Sequence, residues 1–127
     1  MKYILLSVVL FLTNILVSFF LIENCIENRG VAFGIEIEYV SLIKFFLLIF
    51  VLLLSFKIEG NLKNIFLSIV ILGSGNLFER IVRGYVCDYI PFFNLSINIV
   101  DIGIVVVTIA GVLICIFKKN EDTNKGR

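Results

Sequence analysis

The sequence predicts an all-α membrane protein, a bundle of four transmembrane helices with a small outward-facing loop and strand element and both termini in the cytoplasm. Three observations lead there. The chain of 127 residues is 60% hydrophobic with a mean hydropathy of +1.08, well above the roughly 45–50% apolar content of soluble chains. A chain this short cannot enclose so much Ile, Leu, Val and Phe in a soluble core. The apolar residues also fall into four runs, each able to reach roughly 17–20 residues, about the length that crosses ~30 Å of hydrocarbon as a helix.

The first run, Tyr3 to Ile22, is interrupted only by Ser7, Thr13, Asn14 and Ser18. It reads as an uncleaved helix: Lys2 is its only basic flank, and no small-x-small cleavage site follows. Leu21-Ile22-Glu23-Asn24-Cys25 is a poor lipobox, with Glu23 and Asn24 where small residues are needed. The second run, Tyr39 to Phe56, carries Lys44 near its start, where a lysine is expected to snorkel. The third, Leu62 to Leu72, extends to Phe78 through a polar, glycine-rich half in which Gly73 and Gly75 are expected to let backbones approach closely. The fourth, Ile99 to Phe117, contains Asp101 near its beginning. Residues 1–117 form one domain, and the polar segment 118–127 is expected to be a frayed cytoplasmic tail.

Basic residues orient the bundle. Lys2, Lys57, Lys63, Lys118, Lys119, Lys125 and Arg127 fall at the termini and middle loop, whereas the other two loops carry only Arg29, Arg80 and Arg83. Segments 23–38 and 79–98 therefore face outward. The net charge of +1 averages a basic inside and an acidic outside, and nothing in it points to nucleic acid. Cys115 reads as apolar filler in the last helix. Cys25 and Cys87 both lie in outward segments, where an oxidising compartment permits pairing, but an odd and sparse cysteine count favours plain thiols.

Two acids stand out. Asp88 and Asp101 are thirteen residues apart at the edge of the final apolar run, and a carboxylate beside hydrocarbon is expensive enough to need a reason. Asp88 alone reads as a solvated loop acid. Asp101 alone reads as a first-turn acid, with Asn98 as N-cap and Asp101 at N3. Two carboxylates able to meet at a membrane face point to a pair that shares one proton and activates water. The chain has no histidine, which excludes His-dependent triads and His metal sites.

Short motifs surround these acids: Asn28-Arg29-Gly30-Val31-Ala32-Phe33-Gly34, Gly75-Asn76-Leu77-Phe78-Glu79-Arg80, Val86-Cys87-Asp88-Tyr89-Ile90 and Ile97-Asn98-Ile99-Val100-Asp101. Separately they read as a turn before a helix, helix packing with an interfacial arginine, and a helix start. Asn76 and Arg80 are four apart and share a face if the helix persists. Together, in this order and with an eight-residue step from Arg80 to Asp88, they are similar to the motifs of the lipoprotein signal peptidase (signal peptidase II) family, over nearly the whole chain. The family patterns are N-x-G-x-A-F-G, G-N-x-x-D-R, V-V-D-F/M-I and F-N-x-A-D.

The resemblance implies an aspartyl endopeptidase of the bacterial inner membrane with Asp88 and Asp101 as its dyad and no metal or cofactor. Asn28, Gly30, Asn76, Arg80 and Asn98 would bind substrate or support the dyad. It implies a diacylglyceryl-modified prolipoprotein as substrate, membrane lipid as a further partner, cleavage just before the lipidated cysteine, and a monomer. The chain departs from the pattern in having Glu79 where the family has aspartate, Asn14 where the first helix usually carries an acid, no tandem glycine before Gly75-Asn76, a short first outward segment and a short Asp88–Asp101 interval. Competing readings are a degenerate relative that binds lipoproteins without cutting, a packing-only membrane subunit, and a small four-helix multidrug transporter. The transporter class usually needs an acid in mid-first-helix, where this chain has Asn14.

Overall fold

The computed structural model describes residues 2–21, 26–28, 39–93 and 95–126. Helix α1 (Lys2–Leu16) ends in a π-helical turn, Val17–Leu21, followed by strand β1 (Ile26–Asn28). Helices α2 (Val40–Ser55) and α3 (Asn61–Arg83) come next. Strands β2 (Val86–Asp88), β3 (Ile90–Phe92) and β4 (Leu95–Ile97) then lead to α4 (Ile99–Lys125). Three helical stretches, Lys2–Phe20, Asn61–Arg83 and Ile99–Lys125, are long and apolar enough to cross a membrane, and α2 is a shorter apolar helix.

The helices are oily outside and partly polar inside. Leu5, Leu12, Phe46, Phe50, Val105 and Ile109 are each more than half exposed, whereas Ser7, Asn14 and Ser18 line one buried stripe of the first helical stretch. Lipid is as apolar as leucine, so helices in a bilayer gain little by hiding leucine and associate through small and polar contacts. Buried hydroxyls that lack a distant partner bond back along their own helix: Ser7 Oγ donates to the Tyr3 carbonyl and Ser68 Oγ to the Asn64 carbonyl.

Helix α3 is central, with α1, α2 and α4 all packed against it. Ile65, Leu72, Val100 and Val107 form the small apolar core between α3 and α4, flanked by Leu10 from α1. The notches at Gly73 and Gly75 receive side chains rather than backbones. A Cβ at Gly73 would stand 2.6 Å from a Leu48 methyl of α2, and one at Gly75 would stand 3.1 Å from the Phe11 ring of α1. The glycine-rich half therefore does not end the helix, and α3 continues to Arg83 before Gly84 closes it at φ 83°.

Two further expectations change. The polar segment after Phe117 is helical as far as Lys125 rather than frayed, because the turns of α4 propagate more cheaply than a new helix nucleates. Cys87 is disulfide-bonded and not a plain thiol, whereas Cys115 is free and exposed. Cys25, the other cysteine of the outward segments, lies outside the described residues.

At one end of the bundle two antiparallel strand pairs gather the chain. β1 pairs with β2 in the register Ile26↔Asp88, Glu27↔Cys87 and Asn28↔Val86. β3 pairs with β4 through Ile90↔Ile97 and Phe92↔Leu95. The first pair fixes Asp88 beside the end of α3, and the second returns the chain directly to the start of α4.

Candidate active site

Asn98 caps α4 as its local sequence requires. Its side-chain oxygen accepts from the Asp101 backbone N–H at 3.1 Å, and Asp101 Oδ2 accepts from the Asn98 N–H at 3.1 Å, a complete capping box. This reciprocal pair sets the Asp101 rotamer and leaves the Asn98 amide nitrogen pointing into the bundle. That nitrogen donates to Asn76 Oδ1 at 2.9 Å and to Asp88 Oδ1 at 3.4 Å. Asn76 in turn donates its own amide to Asp101 Oδ1 at 3.1 Å.

Asp88 and Asp101 are thus joined through two asparagine side chains, one from α3 and one from the start of α4. Asp88 and Asn98 are nearly fully buried, and Asp101 is half-buried. Arg80, one turn beyond Asn76 on the same α3 face, is 5% exposed and stands within the electrostatic field of Asp88. Of the expected site residues, Asn76, Arg80, Asp88, Asn98 and Asp101 are therefore brought together. Asn28 ends β1 opposite Val86, and Gly30 lies outside the described residues.

A second polar cluster lies behind the acids. Glu79, with no exposed surface, accepts from Asn14 Nδ2 at 2.7 Å, Ser18 Oγ at 3.2 Å, Arg83 at 2.8 Å and the Cys87 backbone N–H at 3.0 Å. Arg83 also donates to the Ser18 carbonyl, in the π-helical turn, at 3.2 Å and lies over the Phe19 ring at 4.1 Å. The Cys87 N–H immediately precedes Asp88, so Glu79 holds the strand that presents that acid. Tyr89 closes the cluster: its hydroxyl donates to Asn14 Oδ1 at 2.8 Å and accepts from the Ile99 N–H at 3.3 Å. Burial pushes the Tyr89 hydroxyl above its usual pKa. The Ile99 hydrogen bond opposes that shift, while the fields of Glu79, Asp101 and Asp88 add to it.

Glu79 and Asn14, visible in the sequence only as departures from a pattern, thus bond to each other. Ser18, Arg83 and Tyr89 had no such signal beyond the four-residue spacing of Glu79 and Arg83. Lys44 is half-buried on the less exposed face of α2, within the fields of Arg80, Asp101 and Asp88.

The fold and site together define a membrane-helical protein with two carboxylates held in one buried polar network at one end of its bundle. Comparison with known proteins makes the class specific. A profile of the signal peptidase (SPase) II family matches residues 1–118, and the chain belongs to that family. It is similar to proteins named lipoprotein signal peptidase in three bacteria. That of Caldicellulosiruptor bescii is 35% identical over 92 residues, 65% of this chain and 61% of that protein. That of Clostridium tetani is 33% identical over 112 residues, 80% and 71% of the two chains. That of Wigglesworthia glossinidia brevipalpis is 36% identical over 107 residues, 74% and 67%. No solved structure gives a significant match.

Proposed function

We propose that the chain is an aspartyl endopeptidase of the bacterial cytoplasmic membrane that removes signal peptides from diacylglyceryl-modified prolipoproteins, cutting just before the lipidated cysteine. The observation that carries this reading is the bridge from Asp88 through Asn98 and Asn76 to Asp101. It keeps two carboxylates at one site, where a packing role would need neither. Family membership and the names of the relatives support the same substrate class.

In this reading the pair holds one proton between its two members, because two close carboxylates at a low-dielectric site do not both ionise cheaply. The ionised member takes a proton from water as the water attacks the scissile carbonyl. The protonated member hydrogen-bonds the carbonyl oxygen as charge develops on it. The tetrahedral species collapses with loss of the cysteine amine, which leaves with a proton from the dyad. No covalent enzyme intermediate forms, and the chemistry calls for no metal or cofactor.

Arg80 and the asparagines orient the dyad and the substrate backbone. The distribution of Lys and Arg supports a four-span topology with cytoplasmic termini, the polar segment 118–127 inside and the site at the outward face. A lipid-anchored substrate then reaches the site by lateral diffusion.

The test is release of the signal peptide from a lipidated model prolipoprotein. Asp88→Asn and Asp101→Asn should each lower the rate by about a thousandfold or more while the protein still inserts. A full rate in either variant would overturn the dyad, and a wild-type protein that binds the substrate without cutting it would establish the degenerate reading.

A further inference from the structure

Lys44 has no role in the mechanism above, yet its position is fixed by packing. Helices α2 and α3 form an antiparallel hairpin, closed by the short connection 56–60. Ser41, Lys44 and Leu48 are the less exposed positions over the first half of α2, at the i, i+3, i+7 spacing of one helical face. Leu48 marks where that face meets α3, with its methyl against Gly73.

Lys44 is one turn from Leu48 toward the start of α2. In an antiparallel partner, one turn past Gly73 toward the end of α3 is Asn76, and the next is Arg80. Side chains on a helix tilt toward its N-terminus, so the lysine stem leans farther in the same direction, toward the acids. Consistent with this, the charges felt by its ammonium are Arg80 of α3, Asp101 of α4 and Asp88 of β2. Among the described residues no hydrogen bond or ion pair engages Lys44.

Two cations therefore face an acid pair. If the pair shares one proton it carries a single negative charge, and among the described residues Arg80 and Lys44 then supply one positive charge more than the pair. The Glu79–Arg83 ion pair is internally neutral, and Tyr89 is uncharged. Hydrolysis supplies the missing anion. One water is consumed, a C–O bond forms and the C–N bond breaks. Both water protons end on the departing amine, one of them by way of the dyad, so that at neutral pH the products are an ammonium on the lipidated cysteine and a carboxylate at the end of the signal peptide. That carboxylate arises beside two acids in a low-dielectric setting, where it requires a counter-charge.

We infer that Lys44 is a product-binding residue that receives the newly formed C-terminal carboxylate of the released signal peptide. The inference rests on the peptidase reading but is tested separately, by binding. A synthetic peptide matching the end of the signal sequence is prepared as the free acid and as the C-terminal amide, and its competition for the wild-type protein is measured in detergent.

The free acid should bind at least about tenfold more tightly than the amide. Lys44→Met should abolish that preference, and Lys44→Arg should retain it. An acid-to-amide ratio near one in the wild type, or an unchanged ratio in Lys44→Met, overturns the inference even if cleavage proceeds normally. The wild-type ratio needs no substitution to be read, so a poorly folding Lys44→Met leaves the test intact. Failure of cleavage with the ratio preserved would count against the peptidase reading alone.

Discussion

Replacing Asn98 with serine separates the two tasks that this side chain performs. As a helix cap, serine is nearly equivalent to asparagine, so its oxygen can still accept the Asp101 N–H that Asn98 Oδ1 accepts at 3.1 Å. What serine lacks is the amide nitrogen that reaches Asn76 at 2.9 Å and Asp88 at 3.4 Å. The first bond is neutral and of ordinary length, contributing about 1 kcal/mol. The second is long and goes to a carboxylate, and we assign it about the same. Leaving the buried Asn76 oxygen without that donor adds about 1 kcal/mol more.

If this total, roughly 2–3 kcal/mol, is expressed in alignment of the acids, kcat/KM falls by about 30- to 150-fold. The thermal midpoint should drop by much less than in Asn98→Ala, which also forfeits about 1 kcal/mol of capping. The assay is signal-peptide release over a range of substrate concentration, alongside thermal unfolding of the same detergent-solubilised preparations. Wild-type kcat/KM in Asn98→Ser would refute the bridge as a functional element. Stability and activity kept in the serine variant and lost only in the alanine variant would reduce Asn98 to a cap.

Glu79→Gln should lower stability by about 3 kcal/mol, because one amide cannot satisfy four donors and leaves the Arg83 charge without its partner. Heating in detergent followed by size-exclusion chromatography reads this loss, and a midpoint within a degree or two of wild type would contradict it. Tyr89 supplies the pH dependence. Its pKa is raised in the folded protein, so its contribution is complete below the unfolded value near 10 and is lost as pH climbs toward the folded value. Tyr89→Phe should therefore destabilise at neutral pH by about 1 kcal/mol through the lost Asn14 bond. It should also flatten the decline above about pH 10. Parallel wild-type and variant profiles in that alkaline range would exclude Tyr89 as its source.

Much of the site was legible because its parts obey short-range rules. The capping relation of Asn98 and Asp101 spans three residues, and the shared face of Asn76 and Arg80 spans four, so both follow from helical geometry once the spans are located. The cluster around Glu79 spans 61 and 65 residues through Ser18 and Asn14. Nothing local encodes such a distance, since it depends on the rotational phase at which α1 meets α3. Lys44 illustrates the same limit: proximity to a helix end permits snorkelling, and only the seating of Leu48 against Gly73 tells which neighbouring helix its face of α2 meets. The length of α4 was missed for another reason. A drop in hydropathy after Phe117 marks where a helix leaves hydrocarbon, not where its hydrogen bonding stops.

The brevity of α2 also bears on the surrounding lipid. Its 16 residues rise about 24 Å, short of the ~30 Å hydrocarbon thickness, and such a mismatch is relieved when lipid thins or flanking polar groups dip below the surface. Either relief would bring polar groups of the protein and the glycerol region of nearby lipids to one depth, beside the helix that carries Lys44.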